Sequence, residues 1–180
     1  MIMGLFDMFK KKPEPAAAPA GPASVKADAA ADTLVAPVSG RVVKMTDVPD
    51  PVFSGEVLGK GCAVWPDDET VYAPISGTVT VTMGHAVGIT GDDGIEVLVH
   101  IGVDTVDMNG KGFTGYVKQG DKVKAGDPCI KMTKADIAAA GHPDCVVLAV
   151  SNTPEFADVQ LIADPESTVA AGAAVVKVVR

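Results

Sequence analysis

Apolar and polar residues alternate most cleanly along Ile95–Asp107, IEVLVHIGVDTVD. Ile95, Val97, Val99, Ile101 and Val103 fall on one side of an extended chain, and Glu96, Leu98, His100, Gly102 and Asp104 on the other. Period two with β-branched residues on one side predicts a strand with its apolar face inward, so His100 points away from the core. The preceding run His85–Thr90 is separated from it by Gly91-Asp92-Asp93-Gly94, a turn signal. A hairpin closing symmetrically on those four residues sets His85 opposite His100, Val87 opposite Leu98 and Ile89 opposite Glu96. Opposed residues have Cβ atoms about 4.5–5.5 Å apart. The spacing therefore predicts two neighbouring imidazoles, open to solvent, provided the register holds.

From about Thr33 the pattern is one of short strands broken by Gly, Pro and Asp turns, which predicts an all-β, antiparallel sandwich or barrel. The chain also resembles itself. Leu34-Val35-Ala36-Pro37-Val38-Ser39-Gly40-Arg41-Val42-Val43 parallels Val71-Tyr72-Ala73-Pro74-Ile75-Ser76-Gly77-Thr78-Val79-Thr80. Val123–Met132 parallels Val169–Val178. Two such doublets predict an internally duplicated fold rather than a solenoid of fixed period. The helical candidate is short, Lys134–Ala140, with Thr133 as N-cap and Gly141 as stop. Asp47–Phe53, with two prolines and two aspartates, predicts a loop whose apolar tip is Val52-Phe53. By itself Phe53 reads as a core residue.

The ends differ. In residues 1–12, MIMGLFDMFKKK, the residues Ile2, Leu5, Phe6 and Phe9 cluster on one side of a helix ahead of Lys10–Lys12. This suits a short amphipathic, membrane-associating segment as well as it suits a disordered start. Residues 13–32 are Ala/Pro-rich and predict a flexible linker, leaving 33–180 as the folded domain. A length of 180 residues suits one domain plus a tail. The net charge of −8 argues against nucleic acid and for a basic protein partner. Cys62, Cys129 and Cys145 are widely spaced without a CxxC pair, which reads as reduced thiols in the cytoplasm. No apolar run reaches the roughly 20 residues of a membrane span.

Two facing histidines admit four chemistries. They can be surface residues without a task. They can bind zinc, although a closed site wants about four ligands and Asp104 supplies only a third. They can be a general acid/base pair, although no nucleophile stands beside them. Or one imidazole accepts a phosphoryl group while the other donates to its oxygens. Spacing alone does not choose. His142, in Gly141-His142-Pro143, reads as a turn residue unrelated to the pair.

The segments His85-Ala86-Val87-Gly88-Ile89, Gly94–Val106, Asn109-Gly110-Lys111-Gly112-Phe113, Val117–Asp127 and Ala36-Pro37-Val38-Ser39-Gly40 resemble the IIA component of the glucose family of the sugar phosphotransferase system. The start, Met3-Gly4-Leu5-Phe6-Asp7, resembles that of the free-standing form, whose N-terminal segment associates with membrane. The resemblance implies a β-sandwich with a duplicated motif. It implies that His100 takes a phosphoryl group on Nε2 from the phosphocarrier HPr and passes it to a cysteine on the IIB domain of a sugar permease. His85 then assists, chiefly in onward transfer, and the Gly102 carbonyl fixes the ring of His100. The matching partner patch is Val52, Phe53, Val87 and Leu98, flanked by Asp50 and Asp104. No cofactor is required, zinc at His85 and His100 being the exception with a partner's ligand. For free-standing relatives, regulatory contacts with other enzymes or transporters are implied too. The implied location is cytoplasmic, with weak contact to the inner face of the membrane through residues 2–12. One position departs: Met83 stands where relatives usually carry threonine, and Thr82 is the substitute hydroxyl if the strand bulges there. Competing classes are a lipoyl- or biotin-type carrier, with Lys131 as the modified residue, and a zinc hydrolase on a related duplicated fold.

Overall fold

The structure is a computed structural model and describes residues 20–180. The amphipathic segment expected over residues 1–12 and the first part of the linker lie outside the described residues. The strands are β1 (Thr33–Val35), β2 (Gly40–Lys44), β3 (Lys60–Pro66), β4 (Thr70–Tyr72), β5 (Gly77–Met83), β6 (Ala86–Gly91), β7 (Glu96–Ile101), β8 (Phe113–Gly115), β9 (Lys122–Val123), β10 (Pro128–Met132), β11 (Val146–Val150), β12 (Asp158–Leu161), β13 (Thr168–Val169) and β14 (Ala174–Val179). Two short helices interrupt them, α1 (Pro51–Ser54) and α2 (Lys134–Ala139). The strands form one antiparallel sheet of eight, ordered β13-β2-β3-β11-β7-β6-β5-β9, and two of three, β1-β14-β12 and β4-β10-β8. The fold is the expected antiparallel β-sandwich.

The doublets seen in the sequence are pairing units. Arg41 and Gly40 pair with Thr168 and Val169, as Thr78 and Gly77 pair with Lys122 and Val123. β1 meets β14 and β4 meets β10, each with a register shift. The likeness extends to side chains: Ala171 N–H donates to Ser39 Oγ and Ala125 N–H to Ser76 Oγ, both at 2.9 Å. Each Ser in Pro-x-Ser-Gly thus satisfies a backbone donor in the facing turn that would otherwise cost an unmade hydrogen bond.

The eight-stranded sheet has two apolar faces. Inward, Val42, Cys62, Val64, Val87, Ile89, Val97, Val99, Ile101, Val146, Leu148 and Val150 join the main core with Leu34, Ile130, Met132 and Ile137. Outward, a smaller core of Val43, Ala63, Val147 and Ala149 lies under Met45, Val48 and Phe53, carried by the Met45–Asp47 turn and α1. The segment expected as a loop is therefore partly helical. Asp50 caps α1, its carboxylate accepting from Val52 N–H at 2.9 Å and Phe53 N–H at 3.0 Å, and Pro51 supplies the preset first turn. α2 lies where expected, but its N-terminus is capped from outside: Lys134 N–H donates to Glu69 Oε1 at 2.9 Å, with no bond from the Thr133 hydroxyl.

Residues 20–32 differ from the free linker expected there. Val25 N–H donates to Gly126 O at 3.0 Å and Asp28 N–H to Gly172 O at 2.8 Å, one bond to each of the two duplicated turns. Both glycines have positive φ, and a Cβ would meet the Val25 or Lys26 carbonyl within 2.3 Å or 2.1 Å. Arg180 Nε closes the strap on Asp32 at 2.8 Å. Backbone bonding of this kind leaves no trace in composition.

Candidate functional site

β7 runs as the alternation predicts, with Val97, Val99 and Ile101 buried and Leu98 and His100 half-buried on the outer face. The hairpin register is one residue off the expected one. Thr90 pairs with Glu96, Val87 with Val99 and Ala86 with His100. The reason lies in the turn. Ile95 is buried completely in the core and takes no place in the ladder, while its carbonyl accepts from Gly91 N–H at 2.7 Å and Gly94 adopts φ +86°. Asn152 holds this connection, accepting from Glu96 N–H and donating to Gly94 O, both at 2.9 Å.

The slip corrects the expected patch: Val87 is 0% exposed and belongs to the main core, not to a surface beside His100. It should also have separated the histidines, yet their ring centroids are 4.7 Å apart, edge to face at 76°. They meet because His85 is not in a strand. Met83 pairs with Ala86, so Gly84 and His85 form the two-residue turn between β5 and β6, where alternation of faces ends. The expectation of two solvent-open rings is corrected too. His85 is 6% exposed, packed between His100 and Phe113, whose ring centroid is 6.4 Å away. Of the two, His100 is the more exposed, half-buried on the outer face.

His100 is held on three sides. Its Nδ1 lies 2.8 Å from Gly102 O, and a carbonyl only accepts, so Nδ1 carries the proton. Nε2 then carries the lone pair. Gly102 has φ +76°, and a Cβ there would meet Thr105 Cγ2 at 2.4 Å and Pro143 O at 2.8 Å. No other residue fits the turn that aims this carbonyl. Phe53 covers the ring's other side, centroids 5.0 Å apart. Phe53 is buried in the smaller core, which corrects its place in an exposed patch while keeping it in contact with His100.

Burial, chiefly, and then the neighbouring His85 push the His100 pKa down from 6.5 to about 4; the Gly102 bond and the charges of Asp50 and Asp104 oppose this. Burial lowers His85 as well. At neutral pH both rings are uncharged, and His100 is a neutral nucleophile with one available nitrogen. Asp50, half-buried at the α1 cap, and exposed Asp104, in a left-handed conformation at φ 59°, are near enough for their charges to act on it. Thr82 pairs with Val87 and so shares that residue's face, away from His100; Met83 shares the face of His100 through Ala86.

The exposed large apolar residues among those described are Val52, Val57, Leu58, Val81, Met83, Val106 and Ile162; of these, Val52 adjoins Phe53, and Met83 shares the face of His100. Val81 pairs with Gly88, and Gly88 with Leu98, so Val81 and Leu98 share a row on the outer face. Of the expected patch, Val52 and Leu98 stand at this surface, with Asp50 and Asp104 beside His100. Val57, Leu58, Val81, Met83 and Val106 were not anticipated, since isolated apolar residues in turns read as filler; their signal is exposure, which only the fold supplies. Among the described residues no group of three His, Cys, Asp or Glu side chains gathers as a metal ligand set. Among them, too, no helix is long and apolar enough to cross a membrane.

Residues 32–156 match the family model of the phosphoenolpyruvate-dependent sugar phosphotransferase system, EIIA 1. The chain is 37% identical over 138 residues to the PTS system glucose-specific EIIA component of Oceanobacillus iheyensis, covering 76% of this chain and 84% of that protein. It is 41% identical over 127 residues to the PTS system beta-glucoside-specific EIIBCA component of Bacillus subtilis, covering 69% of this chain and 21% of that protein. It thus spans about a fifth of the length of such three-part relatives. The solved glucose permease IIA from Mycoplasma capricolum superposes with a TM-score of 0.69 at 29% identity, covering 80% of this chain and 93% of that one.

Proposed function

The chain belongs to the EIIA 1 family of the phosphoenolpyruvate-dependent sugar phosphotransferase system, and from that premise we propose that it is a phosphoryl carrier, His100 being the acceptor. The observation that carries this reading is the Nδ1–H to Gly102 carbonyl bond of 2.8 Å, which leaves the lone pair on Nε2 of a ring that stands half-buried on the outer face. Phospho-HPr docks on the apolar surface around His100. The Nε2 lone pair forms the new N–P bond as the donor's bond to phosphorus breaks, and the Gly102 carbonyl takes up the positive charge spread onto Nδ1–H. His85, neutral and edge-on, supplies a neighbouring N–H for the phosphoryl oxygens and acts chiefly when the group leaves for a cysteine of the IIB domain. The transfer needs no metal or cofactor.

Asp50 and Asp104 give the rim a negative charge that suits a basic carrier and speeds encounter more than it tightens the complex. Thr82, facing the other way, does not replace the usual hydroxyl, and Met83 adds apolar docking area instead. Residues 2–12 add weak contact with the inner face of the cell membrane, read from Ile2, Leu5, Phe6, Phe9 and Lys10–Lys12. Regulatory contacts with other enzymes or transporters would use the same surface.

The test is labelling with HPr, its kinase and phosphoenolpyruvate. One acid-labile, base-stable phosphoryl group per chain is expected, and none on the His100→Gln variant. Equal labelling of that variant would overturn the assignment.

A further inference from the structure

His142, read from sequence as a bystander, makes a short contact: its Nε2 lies 2.6 Å from Asp107 Oδ1. Its ring is largely covered while the Asp107 carboxylate is exposed. Asp107 belongs to the Thr105–Met108 turn, which follows Gly102 and Asp104 directly. This turn is anchored well at its start. Gly102 N–H donates to Cys145 O at 2.8 Å, Val103 N–H to Pro143 O at 3.1 Å, and the Thr105 hydroxyl back to Ile101 O at 2.5 Å. Beyond that point its backbone bonds are local, Asp107 N–H to Asp104 O and Asn109 N–H to Val106 O. Phe113 N–H of β8 donates to Gly110 O at 3.2 Å, and Thr133 N–H to Gly112 O at 2.7 Å just beyond; among the described residues, the His142–Asp107 contact is the one hydrogen bond that joins residues 106–111 to a segment distant in sequence. Met108 packs against the main core but makes no such bond.

The turn carries much that acts on His100: the Gly102 carbonyl on Nδ1, the Asp104 charge, and exposed Val106. Asp104 and Asn109 both hold left-handed φ values, 59° and 52°, a conformation that Asp and Asn adopt more readily than other side chains. His142 itself is fixed, its backbone N–H donating to Ile137 O at 3.1 Å as the chain leaves α2.

We propose that His142 is a positioning residue for the transfer at His100: by holding Asp107 it clamps the Gly102–Met108 turn, so that the Gly102 carbonyl keeps its grip on Nδ1–H and Asp104 and Val106 keep their place on the docking rim. This rests on the phosphoryl-acceptor reading of His100. The clamp lies outside the reacting atoms and touches neither histidine of the site.

The test uses the full chain with His142→Ala, Asp107→Asn, the double variant, and the exchanged pair His142→Asp with Asp107→His. Each single variant should lower kcat/KM for phosphoryl uptake from phospho-HPr about fivefold, the worth of one charge-assisted hydrogen bond at a part-exposed site. The double variant should lose no more than either single one, and the exchanged pair should recover most of the loss. Proton NMR of the unphosphorylated protein should show the His100 Nδ1–H exchanging at least about fivefold faster in both single variants, with thermal midpoints unchanged. Wild-type exchange at His100, losses that multiply in the double variant, or a fall in thermal midpoint accounting for the kinetic loss would each overturn the proposal. Should the unaltered protein take up no phosphoryl group, the functional reading fails, while the exchange measurement still decides the role of His142.

Discussion

The outer face of the large sheet is finished in two different ways. Over β2, β3 and β11 it is roofed: Val43, Ala63 and Val147 lie in one row beneath Met45, Val48 and Phe53. The same row continues through His100 and Ala86 to Met83 on β7, β6 and β5, where the roof stops and Met83 is exposed. The residues are apolar on both sides of the step. The roofed half is covered within the chain, whereas the open half presents apolar surface that the proposed partners would cover. His100 stands at the edge of the step, with Phe53 of the roof against its ring and the open half in front. For the proposed carrier that position is useful: the ring is fixed by Gly102 and Phe53, and the half-buried ring lies on the face where partners would dock.

The largest expected effect concerns the step itself. Replacing His100 by Gln removes all phosphoryl uptake, whichever half is left intact, as mass spectrometry of the labelled chain checks. Next comes the ring behind it. His85→Gln should leave uptake from phospho-HPr within about threefold but slow delivery to IIB by about 10²-fold, the usual reach of one acid–base group. Stopped-flow or quench measurement of the two half-reactions separates them, and an equal loss in both would contradict this division of labour between the rings.

The two halves then separate by stability. Phe53→Ala, in the roof, should lower the unfolding free energy by about 3–5 kcal/mol. Val106→Ala and Met83→Ala, in the open half, should change it by no more than about 0.5 kcal/mol. Each should nevertheless reduce transfer several-fold. Urea unfolding beside transfer assays reads both, and a stability loss at Met83 as large as at Phe53 would erase the distinction.

The smallest effect on transfer is with pH, which acts on stability instead. The folded His100 pKa of about 4 lies below its ordinary 6.5, so the unfolded chain binds the extra proton first. Stability that is fully present above about pH 6.5 should decline as pH falls toward 4, and His100→Gln should remove that share of the slope. Uptake should stay flat from pH 8 to about 5, because Nε2 keeps its lone pair throughout.

Much of the fold and the site is legible in the sequence, for reasons that can be named. β7 alternates strictly, so the outward placement of His100 follows from period two. The duplicated Pro-x-Ser-Gly and Ala-Gly turns announce the paired strands because each repeats the same backbone chemistry. The register is not legible. Whether Ile95 sits in the ladder or dives into the core depends on Asn152, more than fifty residues away, and that single choice moves Val87 from the surface to the interior. The two rings do meet, but not for the reason the spacing suggests: His85 reaches His100 from a two-residue turn, not from a facing strand position. Phe53 is both core and site, which no local pattern distinguishes. The strap of residues 20–32 meets the two duplicated turns through the backbone N–H groups of Val25 and Asp28, with Ser24 and Asp32 adding side-chain bonds to Asp127 and Arg180, so an Ala/Pro-rich composition carries no sign of it.

As the proposed acceptor, His100 carries the phosphoryl group on Nε2 with Nδ1 protonated against Gly102, which nitrogen-15 and phosphorus-31 NMR of the phosphorylated, histidine-labelled chain can read atom by atom. One phosphorus coupled to Nε2 of His100 is expected, with Nδ1 of the same ring still bearing a proton. Phosphorus on Nδ1, or on His85, would contradict it.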